Sequence, residues 1–297
     1  MKYKFYTCDV FTHERFGGNP LAVIPNANGI SSEQMQTIAR EFNYSETTFV
    51  LPGDHRHTRK VRIFTPTQEV PFAGHPNIGT AFTLASIGEL GDIGEEKEII
   101  FDELAGPVPI LIRWDGTGIW CELKAPEPLS IREIIALDQA ASALSVTSDD
   151  ILTATHQPQV ASVGLPFIMV ELKDWTTLEK VSVNTQVLEE VHGQGITSDI
   201  LVYIRSQDEF DIRCRVFAPL DGVPEDPATG SANCALVSML SHYCSESEGH
   251  FAWRIAQGVK MNRPSLLEAR VQKQSGSIIG SWIGGSCKMV MDGSIRV

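Results

Sequence analysis

Two short segments of this chain combine residue types that can start a helix and bind an anion. The segments HPNIGTA at 75–81 and DPATGSA at 226–232 share the pattern Pro-x-x-Gly-[Ser/Thr]-Ala. Each follows a matching strand-like segment, RIFTP at 62–66 and RVFAP at 215–219. A helix start exposes unpaired N–H groups and the positive end of the helix dipole, so it can bind a carboxylate or a phosphate.

The same residues also have a purely structural interpretation. Asp226 is a favoured N-cap and Pro227 a favoured first helical residue, and Pro76 follows His75 in the same way. Plain capping and anion binding therefore both remain open from the turns alone. Two helix starts facing each other across a domain cleft would hold one anionic small molecule, and ligand pockets favour such interfaces.

The residues after each turn predict a helix that is buried on all sides. GTAFTLASIG at 79–88 and GSANCALVSMLSHY at 230–243 carry apolar residues around nearly the whole helical circumference. Short runs rich in β-branched and aromatic residues, such as SETTFVL at 45–51, predict the strands that wrap these helices. Duplication of one domain explains the repeated spelling better than chance does.

The chain has 297 residues, which is enough for two ordinary domains. The first domain is predicted at 1–117 and the second at 118–284, with a C-terminal strand at about 285–297 returning to the first. An amphipathic helix is predicted at 31–42, where Ser31 and Gln34 form a capping box. One or two surface helices are expected between about 125 and 165.

Composition excludes several classes of partner. The formal net charge is −13 and no block of Lys and Arg occurs, which argues against nucleic acid and anionic membranes. The six cysteines are scattered without a CxxC pair, as in a cytosolic protein with reduced thiols. We found no signal peptide and no apolar run long enough to span a membrane, so a cytoplasmic location is expected.

Five motifs along the chain resemble the phenazine-biosynthesis F-like (PhzF-like) isomerase family. They are FGGNPLAV, IAREFNYSETTFV, RIFTPTQEVPFAGHPNIGTA, EDPATGSANCAL and QGVKMNRPS. The resemblance implies an α+β diaminopimelate-epimerase-like fold, with two similar domains that each form a β-barrel around a central buried helix. It also implies a homodimer that needs no cofactor and no metal, and a small carboxylate substrate in the inter-domain cleft.

The resemblance assigns roles to seven residues. Glu46 is expected to transfer the proton as acid and base, and the other two catalytic positions are His75 and Asp226. The expected substrate-binding residues are Ser45, Gly74, Gly230 and Ser231. By sequence alone a Glu that opens a strand is usually a solvated surface residue. Partial burial would raise the pKa of such a Glu and fit it for proton transfer.

The leading hypothesis is a cofactor-independent isomerase of the trans-2,3-dihydro-3-hydroxyanthranilate isomerase type, in which Glu46 moves a proton. An amino-acid epimerase or racemase is the alternative, although the turns that hold paired cysteines in such enzymes contain His75 and Asp226 here. A binding protein that kept the fold without chemistry is a third hypothesis. His55 and His57 suggest a metal ligand pair, but a hydrated loop explains them better. Arg62 and Arg215 are expected to pair with a buried carbonyl or carboxylate.

Overall fold

The computed structural model describes the whole chain, residues 1–297. The strands are β1 (Lys2–Val10), β2 (Asn19–Ile24), β3 (Glu46–Pro52), β4 (Arg59–Phe64), β5 (Glu69–Val70), β6 (Glu96–Glu103), β7 (Gly106–Trp114), β8 (Ile119–Lys124), β9 (Ser130–Ile134), β10 (Ile151–Leu152), β11 (Gln159–Ser162), β12 (Pro166–Leu172), β13 (Ile200–Arg205), β14 (Ile212–Ala218), β15 (Val223–Asp226), β16 (Gly249–Gln257), β17 (Ser265–Gln274) and β18 (Ser277–Arg296). The helices are α1 (Ser32–Phe42), α2 (Gly74–Ser86), α3 (Leu137–Leu144), α4 (Trp175–Lys180), α5 (Thr185–Gly193) and α6 (Gly230–Tyr243).

The chain divides into two compact units. Unit 1 comprises Met1–Lys124 and Gly284–Val297, and unit 2 comprises Ala125–Ile283. The sequence placed the domain boundary at 117/118, whereas β8 belongs to unit 1 in the structure. Strand β18 begins in unit 2 and ends in unit 1.

In unit 1 the strands close into a barrel in the order β1-β2-β3-β4-β6-β7-β8-β18 and back to β1. The pairs β2–β3 and β4–β6 are parallel, and α1 and α2 lie in the connections that these parallel pairs require. Helix α2 is the core of this barrel, because every residue from Gly74 to Leu84 is buried. No helix in the structure is long and apolar enough to cross a membrane.

Unit 2 repeats this pairing pattern. The pairs β12–β13 and β14–β16 are parallel, as β2–β3 and β4–β6 are in unit 1. The pairs β13–β14, β14–β15 and β16–β17 are antiparallel, like β3–β4, β4–β5 and β6–β7. Helix α6 follows β15 as α2 follows β5, and it is buried along nearly its whole length. The two units therefore have the same topology of strands and central helix.

The repeated Arg-x-Phe motif has the same structure in both units. Arg62 makes two hydrogen bonds of 2.6 Å to the carboxylate of Glu69, and Arg215 makes two of 2.8 Å to that of Glu225. Each guanidinium also lies over the Phe two residues further on, at 5.0 and 4.8 Å from the ring centre. These pairs confirm the structural role expected for both arginines and anchor the short strand before each central helix.

The starts of the central helices correct the sequence interpretation. Helix α6 begins at Gly230 with Thr229 as its N-cap, so Asp226 is the last residue of β15 and does not cap the helix. The ladder explains this, because Asp226 pairs with Val216 on β14. Helix α2 begins at Gly74, which places Pro76 inside the first turn, where a missing N–H costs nothing.

By position in the helix, His75 therefore corresponds to Ser231 and not to Asp226. Asn77 and Asn233 confirm this alignment, since each donates its side-chain amide to the carbonyl oxygen four residues earlier, Ala73 and Thr229. The shared Pro-x-x-Gly motif does not occupy equivalent positions, because Pro76 lies inside α2 whereas Pro227 lies before α6. What the units share is a helix that starts with Gly and carries Asn three residues later.

The other helices were predicted only in part. Helix α1 is confirmed, with the capping box between Ser31 and Gln34 and with Asn43 as its left-handed C-cap, φ 54°. One α-helix, α3, lies between 125 and 165, as expected. Helices α4 and α5 were not predicted, and they pack with α3 on the apolar face of β13.

Candidate functional site

Glu46 is the first residue of β3, directly after Ser45, and its side chain is 18% exposed. Alternation along the strand places Glu46 on the same face as Thr48. The hydroxyl of Thr48 lies 2.8 Å from that of Thr80 on α2, so this face points at the central helix. Glu46 is therefore directed at the barrel interior near the start of α2 and is not the solvated surface residue that its sequence context favours.

His75 is the second residue of α2 and is almost fully buried. Its Nε2 atom lies 3.5 Å from Oε2 of Glu46. Burial lowers the pKa of His75 to about 3, so its imidazole is neutral at physiological pH. The contact is therefore between a neutral imidazole and a carboxyl group, and it is not an ion pair.

Asn19 fixes the other side of the His75 ring. It opens β2, is fully buried, and its Nδ2 lies 3.4 Å from Nδ1 of His75. With the amide nitrogen facing the ring, Nδ1 accepts and the single ring proton is on Nε2. The ring proton is then on the nitrogen that lies 3.5 Å from Oε2 of Glu46, a contact that does not meet hydrogen-bond geometry.

The start of α2 itself is suited to an anion. Ala73 is the N-cap and supplies no side-chain hydrogen bond, and the first turn contains no acidic residue. Gly74, the first helical residue, leaves its N–H without a competing side-chain cap. The helix dipole adds to this, and the surrounding burial strengthens it. Ser45, Glu46, Gly74 and His75 thus lie in one neighbourhood of unit 1.

Unit 2 assembles the other predicted residues around the start of α6. The carboxylate of Asp226 accepts a hydrogen bond of 2.5 Å from the hydroxyl of Thr229. Gly230 and Ser231 are the first two helical residues, and the first turn again has no acidic residue and no side-chain cap. Gln257 supports this turn by donating to the carbonyl of Asp226 at 2.7 Å.

Some residues of these sites were not predicted from the sequence. Asn19 entered the sequence analysis only as part of the motif FGGNPLAV, with no role assigned to it. Gln257 and Asn77 carried no signal beyond their polarity in apolar surroundings. The basic loop at 55–57 is explained by Asp54, whose carboxylate lies 3.0 Å from Nδ1 of His57.

One cysteine, Cys214, contacts the first turn of α6, where its thiol donates to Oδ1 of Asn233 at 3.2 Å. Burial raises the pKa of the thiols of Cys8, Cys121, Cys214 and Cys287, which makes them poor proton carriers. Cys234 is the fifth residue of α6 and is buried like a small hydrophobic side chain. The raised pKa of the Cys214 thiol disfavours thiolate chemistry beside the start of α6.

The duplicated barrel with a buried helix in each unit is the fold predicted from the sequence. The sequence profile described as "Phenazine biosynthesis-like protein" matches residues 8–293. The chain belongs to this family, PhzC-PhzF. A crystal structure of a PhzF-family protein from Bacillus anthracis has a TM-score of 0.91 at 22% identity and covers 100% of both chains, which shows the shared fold.

Several curated relatives of this chain are named isomerases. An "Uncharacterized isomerase" of Mesorhizobium japonicum is 36% identical and covers 97% of each chain. The trans-2,3-dihydro-3-hydroxyanthranilate isomerase of Pseudomonas aeruginosa is 31% identical over 271 residues, 91% of each chain. The names of the relatives support an isomerase and leave its substrate and mechanism to be argued from the site.

Proposed function

We propose that this protein is a cofactor-independent isomerase that moves a proton between two carbons of a small unsaturated carboxylate. The observation that carries the proposal is the contact of 3.5 Å between Glu46 and the buried, neutral His75 at the uncapped start of α2. The substrate class follows the named relatives, so a dihydro-hydroxyanthranilate is the first candidate.

The reaction balances with one carboxylate. Glu46 as the anion removes a proton from one ring carbon, and the electron pair left behind shifts the double bond. The same carboxyl then returns the proton to a second carbon on the same face. No electrons are gained or lost, so no oxidant or reductant is needed.

His75 serves this step as a neutral donor. An imidazolium beside Glu46 would stabilise the carboxylate and weaken it as a base, whereas a neutral ring with its proton on Nε2 supports Glu46 at less cost to its basicity. The N–H groups at the start of α2 suit the substrate's carboxylate and the negative charge that develops during proton removal. Support of Glu46 uses the side chain of His75, whereas binding of the substrate carboxylate uses the backbone N–H groups of the same helical turn.

Participation of Asp226, Gly230 and Ser231 in the same reaction stays a prediction from the sequence. Their contribution is tested by Ser231→Ala, which removes a half-buried hydroxyl beside the uncapped start of α6. The homodimer and the cytoplasmic location also stay predictions.

The test is turnover of trans-2,3-dihydro-3-hydroxyanthranilate followed by ¹H NMR. We expect conversion by the wild-type protein and none by Glu46→Gln. Proline and 4-hydroxyproline serve as epimerase substrates in parallel reactions in D2O. Deuterium exchange at their α-carbons without conversion of the first substrate would overturn the proposal in favour of an epimerase.

A further inference from the structure

Glu103 is a buried carboxyl group that the proposed reaction does not use. It ends β6 and is 7% exposed, and neither of its carboxyl oxygens makes a hydrogen bond of good geometry. Asn77, in the first turns of α2, reaches this carboxyl. The Nδ2 of Asn77 donates to the carbonyl of Ala73 at 3.0 Å, which leaves its Oδ1 without a donor. An ionised carboxylate without well-formed hydrogen bonds in such a buried place is costly.

The duplicated topology identifies the counterpart of Glu103 in unit 2. Strand β4 pairs with β6 at Arg59 and Phe101, and β14 pairs with β16 at Ile212 and Ile255. Arg59 and Ile212 each lie three residues before the Arg of the Arg-x-Phe motif in their unit. Two residues beyond Phe101 is Glu103, and two residues beyond Ile255 is Gln257, each the last residue of its strand.

Gln257 shows what this position does. Its Oε1 accepts from Nδ2 of Asn233 at 2.7 Å and from the backbone N–H of Thr229 at 3.1 Å. Its Nε2 donates to the backbone carbonyl of Asp226 at 2.7 Å. One neutral side chain with both a donor and an acceptor thus ties the end of β16 to the first turn of α6. A carboxylate cannot do this because it has no donor.

A protonated carboxylic acid has the donor and the acceptor that an amide has. We propose that Glu103 is a neutral carboxylic acid in the folded protein and braces the first turn of α2 as Gln257 braces α6, with its carbonyl oxygen accepting from Nδ2 of Asn77 and its O–H taking the donor role of the Gln257 amide. Because His75 lies two residues before Asn77 on that turn, Glu103 is a positioning residue for His75. Ionisation of Glu103 removes the donor and loosens the turn.

The surroundings of Glu103 favour the neutral form. Burial raises the pKa of Glu103 to about 8, Asn77 opposes this, and the neighbouring Asp102 adds to it. From β4, the cations Arg59 and Lys60 lie opposite Phe101 and Asp102, and α2 presents the neutral His75 and Asn77. Since the folded pKa exceeds the ordinary value of 4.5, this group's contribution to stability is complete below pH 4.5. It is lost as the pH rises through about 8.

The test compares Glu103→Gln with its matched reverse, Gln257→Glu, and with Glu103→Ala. Thermal unfolding is measured from pH 5 to pH 9, and the ring of His75 is followed by ¹⁵N NMR. We expect Glu103→Gln to match the wild-type Tm at pH 5 and to exceed it increasingly toward pH 9, with the His75 signals of the wild type at pH 5 retained throughout. Gln257→Glu is expected to acquire the pH-dependent loss that Glu103→Gln abolishes.

The contrary result is also defined. A wild-type Tm that lies below that of Glu103→Gln by the same amount at every pH would show that Glu103 is ionised at all these values and would overturn the proposal. So would His75 signals that are the same in Glu103→Ala as in the wild type, because Glu103 would then position nothing.

The effect on turnover rests on the proposed function and forms a separate arm. There Glu103→Gln should keep kcat within about threefold of wild type at pH 7, and Glu103→Ala should lower kcat more than it raises KM. A lower kcat in Glu103→Gln than in Glu103→Ala would contradict positioning. Absence of turnover in every variant, wild type included, would count against the function alone, since the unfolding and NMR arms need no substrate.

Discussion

The side-chain amide of Asn19 lies 3.4 Å from Nδ1 of His75, on the ring edge away from Glu46. This places a donor on one nitrogen and a carboxyl on the other. The tautomer of His75, and with it the ring atom that faces Glu46, the proposed base, is therefore set by Asn19 from β2. In the proposed reaction Asn19 therefore acts through His75, as a positioning residue.

The first prediction concerns this amide. Asn19→Asp places a carboxylate beside Nδ1, which favours the doubly protonated ring and should raise the pKa of His75 from its present value of about 3. With a cationic ring beside it, Glu46 becomes a weaker base and kcat should fall about tenfold or more, with KM less affected. The checks are an NMR titration of His75 and steady-state kinetics.

Asn19→Ser is the matched control, because it removes the amide without adding charge. It should leave the His75 pKa low while lowering kcat modestly. Equal pKa values for His75 in Asn19→Asp and Asn19→Ser would contradict control of the ring by this position.

The second prediction concerns acid stability. The pKa of His75 is about 3 in the folded protein and ordinarily 6.5, so the unfolded chain binds the additional proton between these values. Stability from this group is complete above pH 6.5 and is lost as the pH falls toward about 3. His75→Gln, which cannot bind a proton, should lose less stability than wild type between pH 7 and pH 4. Urea unfolding at both pH values measures this, and parallel pH dependence of the two proteins would be the contrary result.

The third prediction compares the two arginine pairs. Arg215 bonds Glu225 and also donates to the carbonyls of Leu178 and Val181, at 3.0 and 2.9 Å. Arg215→Met leaves all these acceptors unpaired and should cost about 3–5 kcal/mol of unfolding free energy.

Arg62→Met is the matched variant, since Arg62 is more exposed and its remaining partners are the hydroxyl of Ser32 and the sulfur of Met35. It should cost about 1–3 kcal/mol. Chemical denaturation of both variants measures the difference, and a larger loss for Arg62→Met would contradict the ranking.

The fourth prediction tests the packing of α2. A β-carbon on Gly79 would lie 2.6 Å from atoms of Leu21 and Val10, so Gly79→Ala should cost about 1–3 kcal/mol. Gly193 is the last residue of α5 and has open space around it, so Gly193→Ala should be neutral or stabilising by up to about 1 kcal/mol. Equal effects of the two substitutions on Tm would show that α2 is not packed as described.

Much of the fold could be predicted because its signals are local or repeated. The capping box of Ser31 and Gln34 specifies the start of α1 within a few residues of sequence. The all-round apolar character of α2 and α6 indicates burial without any knowledge of their neighbours. The repeat of Arg62 and Arg215 indicated duplication, and the structure shows why it persists: both form the same bidentate pair.

The features that could not be predicted depend on strand pairing between residues far apart in the sequence, for which local sequence patterns give no signal. The sequence pattern of the two turns aligned His75 with Asp226. In the structure a short turn at Pro219–Asp221 precedes β15, and Asp226 pairs with Val216 in the sheet, so α6 starts further along the chain than the pattern implies. The burial of Glu46 follows from the face that β3 presents to α2, which requires the register with β2 and β4. Nothing in the sequence distinguishes Glu103 from the other acidic residues of the chain. Its role becomes visible only when the fold places the end of its strand near Asn77.

The most direct measurement is the rate of ring-proton transfer by Glu46→Gln in trans-2,3-dihydro-3-hydroxyanthranilate. The variant keeps the volume of the side chain and lacks a base. Calorimetry should therefore still detect substrate binding, while NMR should show kcat reduced by about a thousandfold or more. Glu46→Asp, which shortens the base by one methylene, should retain a measurable fraction. Wild-type rates in Glu46→Gln, with the substrate bound and converted, would contradict the assignment of Glu46 as the proton carrier.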